Sequence, residues 1–296
     1  MLSINPIEIK TAVLHSYMLH AVAPRPIAFA STIDRDGKMN LSPFSFFNAF
    51  GSNPPTLVFS PSRRVRDNTI KHTLENIYEI KEVVINVVNY AMVQQASLAS
   101  CEFPKDVNEF VKAGFTPLKS DIVKPYRVKE SPVQFECKVN QVIETGDQGG
   151  AGNLVICEIL RLHISEDILD ADQKIDQQKI DLVARMGGDL YCRASGNAIF
   201  KVEKPNLKLG IGFDQLPENI RNSKVLTGND LGMLANVEAL PAKDEIKAFK
   251  EIDDVKKLFE VLNEDKSNRT LAAHLAAKKL IAEGKVSEAW KLLLSL

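Results

Sequence analysis

Two runs in the first quarter of the chain hold residue types that could do chemistry together. Ser60, Ser62, Arg63, Arg64, Arg66, Lys71 and Thr73 cluster in one stretch with few acids among them. Arginine and lysine offer a phosphate charge and directed hydrogen bonds, and hydroxyls add further donors. A helix opening after this loop would add free N–H groups at its N-terminus. Just upstream, NLSPFSFF (40–47) sets Asn40, Ser42 and Ser45 among Pro43, Phe44, Phe46 and Phe47. That mixture suits a flat apolar ring edged by main-chain donors and acceptors. Together the runs read as a site for a ligand with a ring at one end and an anion at the other. The residues alone also allow a plainer reading, a core strand followed by a solvated basic loop.

Other candidate motifs are weaker. QGGAGN (148–153) does not match G-x-G-x-x-G and joins two strand-like runs, so it reads as a hairpin loop. No Walker A or G-x-S-x-G pattern occurs. Of the five histidines, His72 alone lies in the basic stretch, and His15, His20, His163 and His274 read as structural or solvent-exposed. Cys101, Cys137, Cys157 and Cys192 lack CxxC spacing and nearby histidines, so neither a disulfide framework nor a metal site is expected. Cys137 and Cys157 fall in apolar strand-like runs, where a thiol acts as a small hydrophobe.

The elements that must position these residues are mostly strands. The chain has 296 residues, enough for one large or two smaller domains. Net charge is −1, which supplies no global basic field for nucleic acid. The N-terminal residues MLSINPIEIKTAVLH lack a signal-peptide pattern, and no apolar run reaches the ~18 residues of a spanning helix, so a cytoplasmic, membrane-free protein is the expectation.

From residue 24 to 200 the pattern is short strands. IAFAST (27–32) leads to the Asp36-Gly37 hairpin signal, and TLVFS (56–60) and VVINVVN (83–89) are β-branched runs. VQFECKV (133–139) alternates, with Val133, Phe135, Cys137 and Val139 on one face and Gln134, Glu136 and Lys138 on the other. NLVICEILRLHI (153–164) is a long strand. Helices are expected over about 69–80, from Ile70, Leu74 and Ile77, over Met92–Ala99, and over 108–114 with Gly114 as the stop. Many short strands with few long helices indicate a barrel or sandwich. Residues 206–250 read as an extended, turn-rich segment, and 251–296 as helices broken at Gly284, the last two a hairpin.

One stretch carries a family likeness. PRPIAFASTIDRDGKMNLSPFSFFNAFGSNPPTLVFS resembles the start of the flavin reductase-like family of FMN-binding split barrels. KHTLENI (71–77), VVINVVN, SPVQFECKV and RMGGDLY (185–191) resemble its later motifs in consistent order, across about residues 20–200. The resemblance implies a mainly β Greek-key split barrel with short helices over 1–205. An extended wrapping segment (206–250) and a C-terminal helical segment (251–296) follow it.

It also implies a homodimer with FMN, or FAD, near the subunit interface and NADH or NADPH as electron donor to the flavin and then to a small-molecule acceptor. The ring would lie against Asn40, Leu41, Ser42, Pro43, Phe44 and Ser45, with Ser31 and Thr32 from the preceding strand. The phosphate would meet Ser60, Ser62, Arg63 or Arg66, with Lys71 and Thr73. Arg185, Gly187, Gly188 and Tyr191 would brace the site or serve the second subunit. No catalytic proton donor is implied. Related barrels act as electron carriers, oxidise pyridoxamine phosphate or bind haem, and a non-flavin binding protein that works through its helical tail is the remaining alternative.

The chain departs from the family at His72, where the motif has Asp. Histidine is a poor N-cap, so Thr73, Asp67 or Asn68 is expected to cap the helix. The loop RRVRDNTI is also richer in arginine than usual, which would suit a pyrophosphate, a partner subunit or water.

Overall fold

The Asp36-Gly37 turn does close a hairpin, and its strands open one antiparallel sheet. The structure, a computed structural model, describes residues 1–205, 208–264 and 268–296. Met1–Phe200 and Lys201–Leu296 form two units.

The first unit opens with helix α1 (Thr11–Ala21). Strands β1 (Ala28–Ile33), β2 (Met39–Phe44), β3 (Phe47–Ser52) and β4 (Pro55–Phe59) follow. Next come α2 (His72–Ile80), β5 (Glu82–Val87), α3 (Val93–Leu98) and α4 (Glu109–Ala113). The short strands β6 (Pro117–Leu118) and β7 (Arg127–Val128) pair with each other. The long β8 (Val133–Glu144) and β9 (Asn153–Ile164) precede a small ribbon of β10 (Val183–Arg185) and β11 (Tyr191–Arg193). The main sheet has seven strands in the order β2-β1-β5-β8-β9-β4-β3.

Strand β1 is buried along its whole length, which is why AFASTI shows no polar alternation. On one side Ala28 and Ala30 join Phe44, Phe59 and the α2 residues Leu74 and Ile77 in a core cluster. On the other, Phe29 joins Leu41, Phe110 and Phe115. Edge strand β2 is covered by α4, whose buried Glu109 accepts a bond from Leu41 N at 3.1 Å.

The polar face expected for β8 reaches solvent only at Lys138. Glu136 is fully buried and Gln134 nearly so. The excursion carrying β6 and β7 lies over them. Glu136 accepts from Asp121 N, Ile122 N and Val123 N, and His163 Nε2 lies 2.7 Å away. Burial pushes this carboxyl up, but those N–H donors and His163 outweigh it and hold it below its usual value. Asp121, Glu136 and His163 thus cluster, yet Arg161 and Arg127 pair with the two carboxylates, which makes the group an ion-pair knot. Cys137 and Cys157 are fully buried and free, and burial raises the Cys137 thiol to about 12.

The second unit corrects the reading of 206–250. That segment holds helices α5 (Glu218–Arg221), α6 (Gly228–Ala235) and α7 (Lys243–Lys250). They precede α8 (Asp253–Glu264), α9 (Arg269–Ala282) and α10 (Val286–Leu293), and they share one core with them. Ile220, Leu231, Leu234 and Phe249 pack with Ala277, Ile281 and Leu292 around Trp290, which is fully buried and donates Nε1–H to Leu234 O at 2.9 Å. The α9–α10 hairpin is present, with Gly284 at φ +77° between its helices. Among the described residues no helix is long and apolar enough to cross a membrane.

Candidate functional site

The basic stretch folds into a closed loop on the first unit. Arg64 N donates to Thr69 O, Asn68 N donates to Arg64 O, and Asn68 takes φ +57°. Arg63 donates Nε to Asn68 Oδ1 at 2.7 Å and Nη2 to Asn68 O at 2.9 Å. Asp67 accepts from Thr69 N and Thr69 Oγ1, which lowers its carboxyl to about 2. These bonds keep 69–71 out of the helix, so α2 starts at His72 and not at 69.

None of the three expected caps acts. Lys71 is the N-cap residue and makes no side-chain cap bond. Asp67 and Asn68 are committed to the loop, and Thr73 lies inside the first turn with its hydroxyl bonded to Asn40. His72 sits half-buried in the first turn. Burial pushes its imidazole down, Arg64, Lys105 and Lys71 add to this, and Glu75 opposes it. A neutral ring at that position adds no charge to a site already rich in cations.

The loop borders a cleft of about 280 Å³ lined by His15, Ser62, Arg63, Arg64, Val65, Arg66, Lys71, Glu102 and Gly150. Four permanent cations meet a single carboxylate there. That carboxylate, Glu102, accepts from Arg64 Nε at 3.0 Å and Arg66 Nη2 at 3.0 Å, with Lys71 Nζ at 3.5 Å. These partners hold its carboxyl below the usual range, bonds from Arg64 and Arg66 first. Charge, guanidinium donors and a hydroxyl converge as a phosphate requires, so the donor set fits the anionic end of a flavin mononucleotide.

The cleft brings together Ser62, Arg63, Arg66 and Lys71 of the expected residues. The other expected residues do not line it. Ser60 is buried and its hydroxyl accepts from Asn153 N at 3.0 Å. Thr73 and Thr32 are buried, and each hydroxyl accepts from Asn40 Nδ2, at 2.9 and 3.2 Å. Ser31 is fully buried, and its Oγ finds no partner among the described residues. Phe44 is in the core against Phe59, with ring centroids 5.5 Å apart. Ser42, Pro43 and Ser45 are half-buried, and Ser45 Oγ accepts from Arg25 Nε at 3.4 Å. The two halves of the expected site are joined where Ser60 N donates to Phe46 O and where Asn40 meets Thr73.

Sequence reasoning missed four contributors. Glu102 comes from a different segment, after α3. His15 on α1 lines the cleft and meets Phe46 edge-on at 6.2 Å. The glycine-rich turn is a hairpin loop as expected, but it is also docked on the basic loop. Arg63 N donates to Ala151 O, Gly150 N to Arg63 O, and Asn68 Nδ2 to Asp147 O. A Cβ on Gly149 would lie 3.0 Å from both Arg64 O and Val65 O. A run of glycines is a signal for such close backbone approach.

Arg25 is the fourth. It is 5% exposed and donates to Leu19 O, Val22 O at 2.7 Å and Met186 O at 2.8 Å, fastening the end of α1 to the turn between β10 and β11. In that turn Gly187 leaves room for the His20 ring, and Arg185 donates to Tyr191 Oη and Gly188 O.

Residues 19–179 match the model of the flavin reductase-like domain family. The chain belongs to that family. A protein of Aquifex aeolicus is 39% identical over 189 residues, 64% of this chain and 94% of the relative. One of Halalkalibacterium halodurans is 31% identical over 208 residues, 70% of this chain and 98% of the relative. Among solved structures, nitrilotriacetate monooxygenase component B from Bacillus cereus superposes with a TM-score of 0.64 at 27% identity, covering 68% of this chain and 98% of that one. The 2-nitrobenzoate 2-nitroreductase NbaA of Pseudomonas fluorescens gives 0.60 at 25%, covering 68% and 96%. The first unit is thus a flavin reductase-like split barrel, and the family match ends before the second unit begins.

Proposed function

We propose that the chain is an FMN-binding, NAD(P)H-dependent flavin oxidoreductase that works as a homodimer and passes electrons to a small-molecule acceptor. The observation that supports this reading is the cationic cleft, lined by Ser62, Arg63, Arg66 and Lys71 of the residues that the resemblance assigns to the phosphate. Bound flavin would supply two-electron acceptance from a nicotinamide. The chain's own residues bind and orient. Ser62, Arg63, Arg66 and Lys71 would hold the phosphate. The main chain of Asn40–Ser45 would edge the ring. Asn40, Thr73 and Arg25 keep those segments in fixed register. The dimer reading is supported by Leu160, Leu162 and Ile164 of β9, which are 42%, 46% and 36% exposed.

Titration of the purified protein with FMN tests this, followed by NADH and NADPH oxidation with and without flavin. Saturable FMN uptake and flavin-dependent oxidation are expected. Uptake without oxidation would make the protein a flavin electron carrier, and no uptake would end the flavin reading. Sedimentation at several concentrations tests the dimer.

A further inference from the structure

We propose that Glu102 is an intramolecular competitor for the anion taken by the cationic cleft, so that it weakens and tunes phosphate binding there. The inference rests on the flavin reading for its ligand, but the competition itself follows from the geometry.

A carboxylate and a phosphate ask for the same partners. Glu102 already holds Arg64 Nε, Arg66 Nη2 and Lys71 Nζ within 3.5 Å. These three cations belong to the loop that bears the phosphate motif and its junction with α2, whereas Glu102 reaches in from another segment. Arg64 does not need Glu102 to keep its place, because Nη1 also donates to Thr69 Oγ1 at 2.8 Å and Ile70 O at 2.6 Å. Arg63 is anchored on Asn68. Of the cations, Arg66 is the most open, 71% exposed, and is steered by Asp67 and Glu102. The Glu102 side chain is itself 43% exposed. The open Arg66–Glu102 pair contributes little to stability, and the more covered Arg64 keeps its two loop bonds without Glu102, so the carboxylate can turn to solvent when a better anion arrives. A phosphate dianion entering beside it meets either a like charge or cations that must first release it. Glu102 therefore subtracts from the affinity for a phosphate-bearing ligand and leaves a phosphate-free one untouched.

The test compares FMN with riboflavin, which has the same ring and no phosphate, on the full chain and on Glu102→Gln and Glu102→Ala. Both variants should bind FMN about tenfold more tightly, the scale of removing one charge a few ångströms from a dianion in a high dielectric. Riboflavin affinity should not change, which also shows that the variants are folded. Equal or weaker FMN binding by the variants would overturn the inference and make Glu102 a brace for the arginines. A parallel gain for riboflavin would overturn it too. If the wild-type chain binds neither flavin, the flavin reading fails separately. Inorganic phosphate, followed by its ³¹P line width, then decides: tighter binding by the variants upholds the competition, and unchanged binding ends it.

Discussion

Asn40 Nδ2 donates to Thr73 Oγ1 at 2.9 Å, across 33 positions of sequence, and so ties β2 to the first turn of α2. Asn40 also reaches Thr32 Oγ1 at 3.2 Å, and Asn76 Nδ2 reaches the same oxygen at 3.1 Å. All four side chains are buried. Thr73→Val keeps the shape and removes one acceptor, which costs about 1–2 kcal/mol when the donor stays buried. A lower denaturant midpoint is expected, with weaker FMN binding because Lys71 adjoins the displaced turn. An unchanged midpoint would show that the network is not a brace.

Much of this framework is legible in sequence, for reasons that differ by element. VQFECKV and NLVICEILRLHI read as strands because long β-branched and alternating runs have no competing helical pattern. The burial of Glu136 was not legible, since three of its partners are backbone N–H groups of Asp121, Ile122 and Val123, which leave no side-chain signature, and His163 lies on another strand. Helix α1 buries no residue, so its sequence carries no apolar stripe. Helices α5 and α6 are short, and α6 begins with Gly228 and contains Gly232, so turn-like composition hid them. The cations of the cleft were visible as one contiguous cluster. Glu102, which completes their electrostatics, belongs to a segment that only the fold brings near.

Gly149 tests whether the glycine-rich turn serves the cleft. A methyl group there would press on Arg64 O, Val65 O and Val65 Cα at 3.0–3.2 Å, all backbone atoms that cannot rotate away. Gly149→Ala should shift the loop by a few tenths of an ångström. The expected result is a several-fold loss of FMN affinity with at most about 1–2 kcal/mol lost from stability. Riboflavin binding should be less affected, because the proposed function puts the loop at the phosphate end. Isothermal titration with both ligands and a thermal melt measure this, and an FMN affinity equal to wild type would detach the turn from the site.

Arg25 tests the clamp on α1. Burial lowers its pKa, and the nearby Arg185 lowers it further, yet three carbonyls receive its guanidinium. Lysine cannot present that planar fork. Arg25→Lys should cost about 2 kcal/mol from bonds lost or left without a donor. Amides of α1 should exchange with solvent faster than in the wild-type chain, while those of β8 and β9 change little. Uniform exchange rates in α1 would rule out this role for the clamp.

His274 makes the second unit sensitive to pH. Its Nδ1 lies 2.7 Å from Ser223 Oγ, and that oxygen already accepts from Val225 N and Leu226 N. The Ser223 proton must therefore point at Nδ1, which accepts it only while the imidazole is neutral. The ring's own proton then sits on Nε2, which has no partner among the described residues. Burial pushes His274 below its ordinary 6.5. Above about pH 6.5 folded and unfolded chains are both neutral here, and stability is complete. As pH falls below that value the unfolded chain takes up a proton that the folded unit resists. Stability then drops by at most about 1.4 kcal/mol per pH unit until the lower folded pKa is reached. Trp290, the only tryptophan, is fully buried in the same core and reports on this unit alone. Its fluorescence should show a lower denaturant midpoint at about pH 5.5 than at about pH 7.5, and His274→Leu should flatten that difference. An equal pH dependence in the variant would place the responsible proton elsewhere.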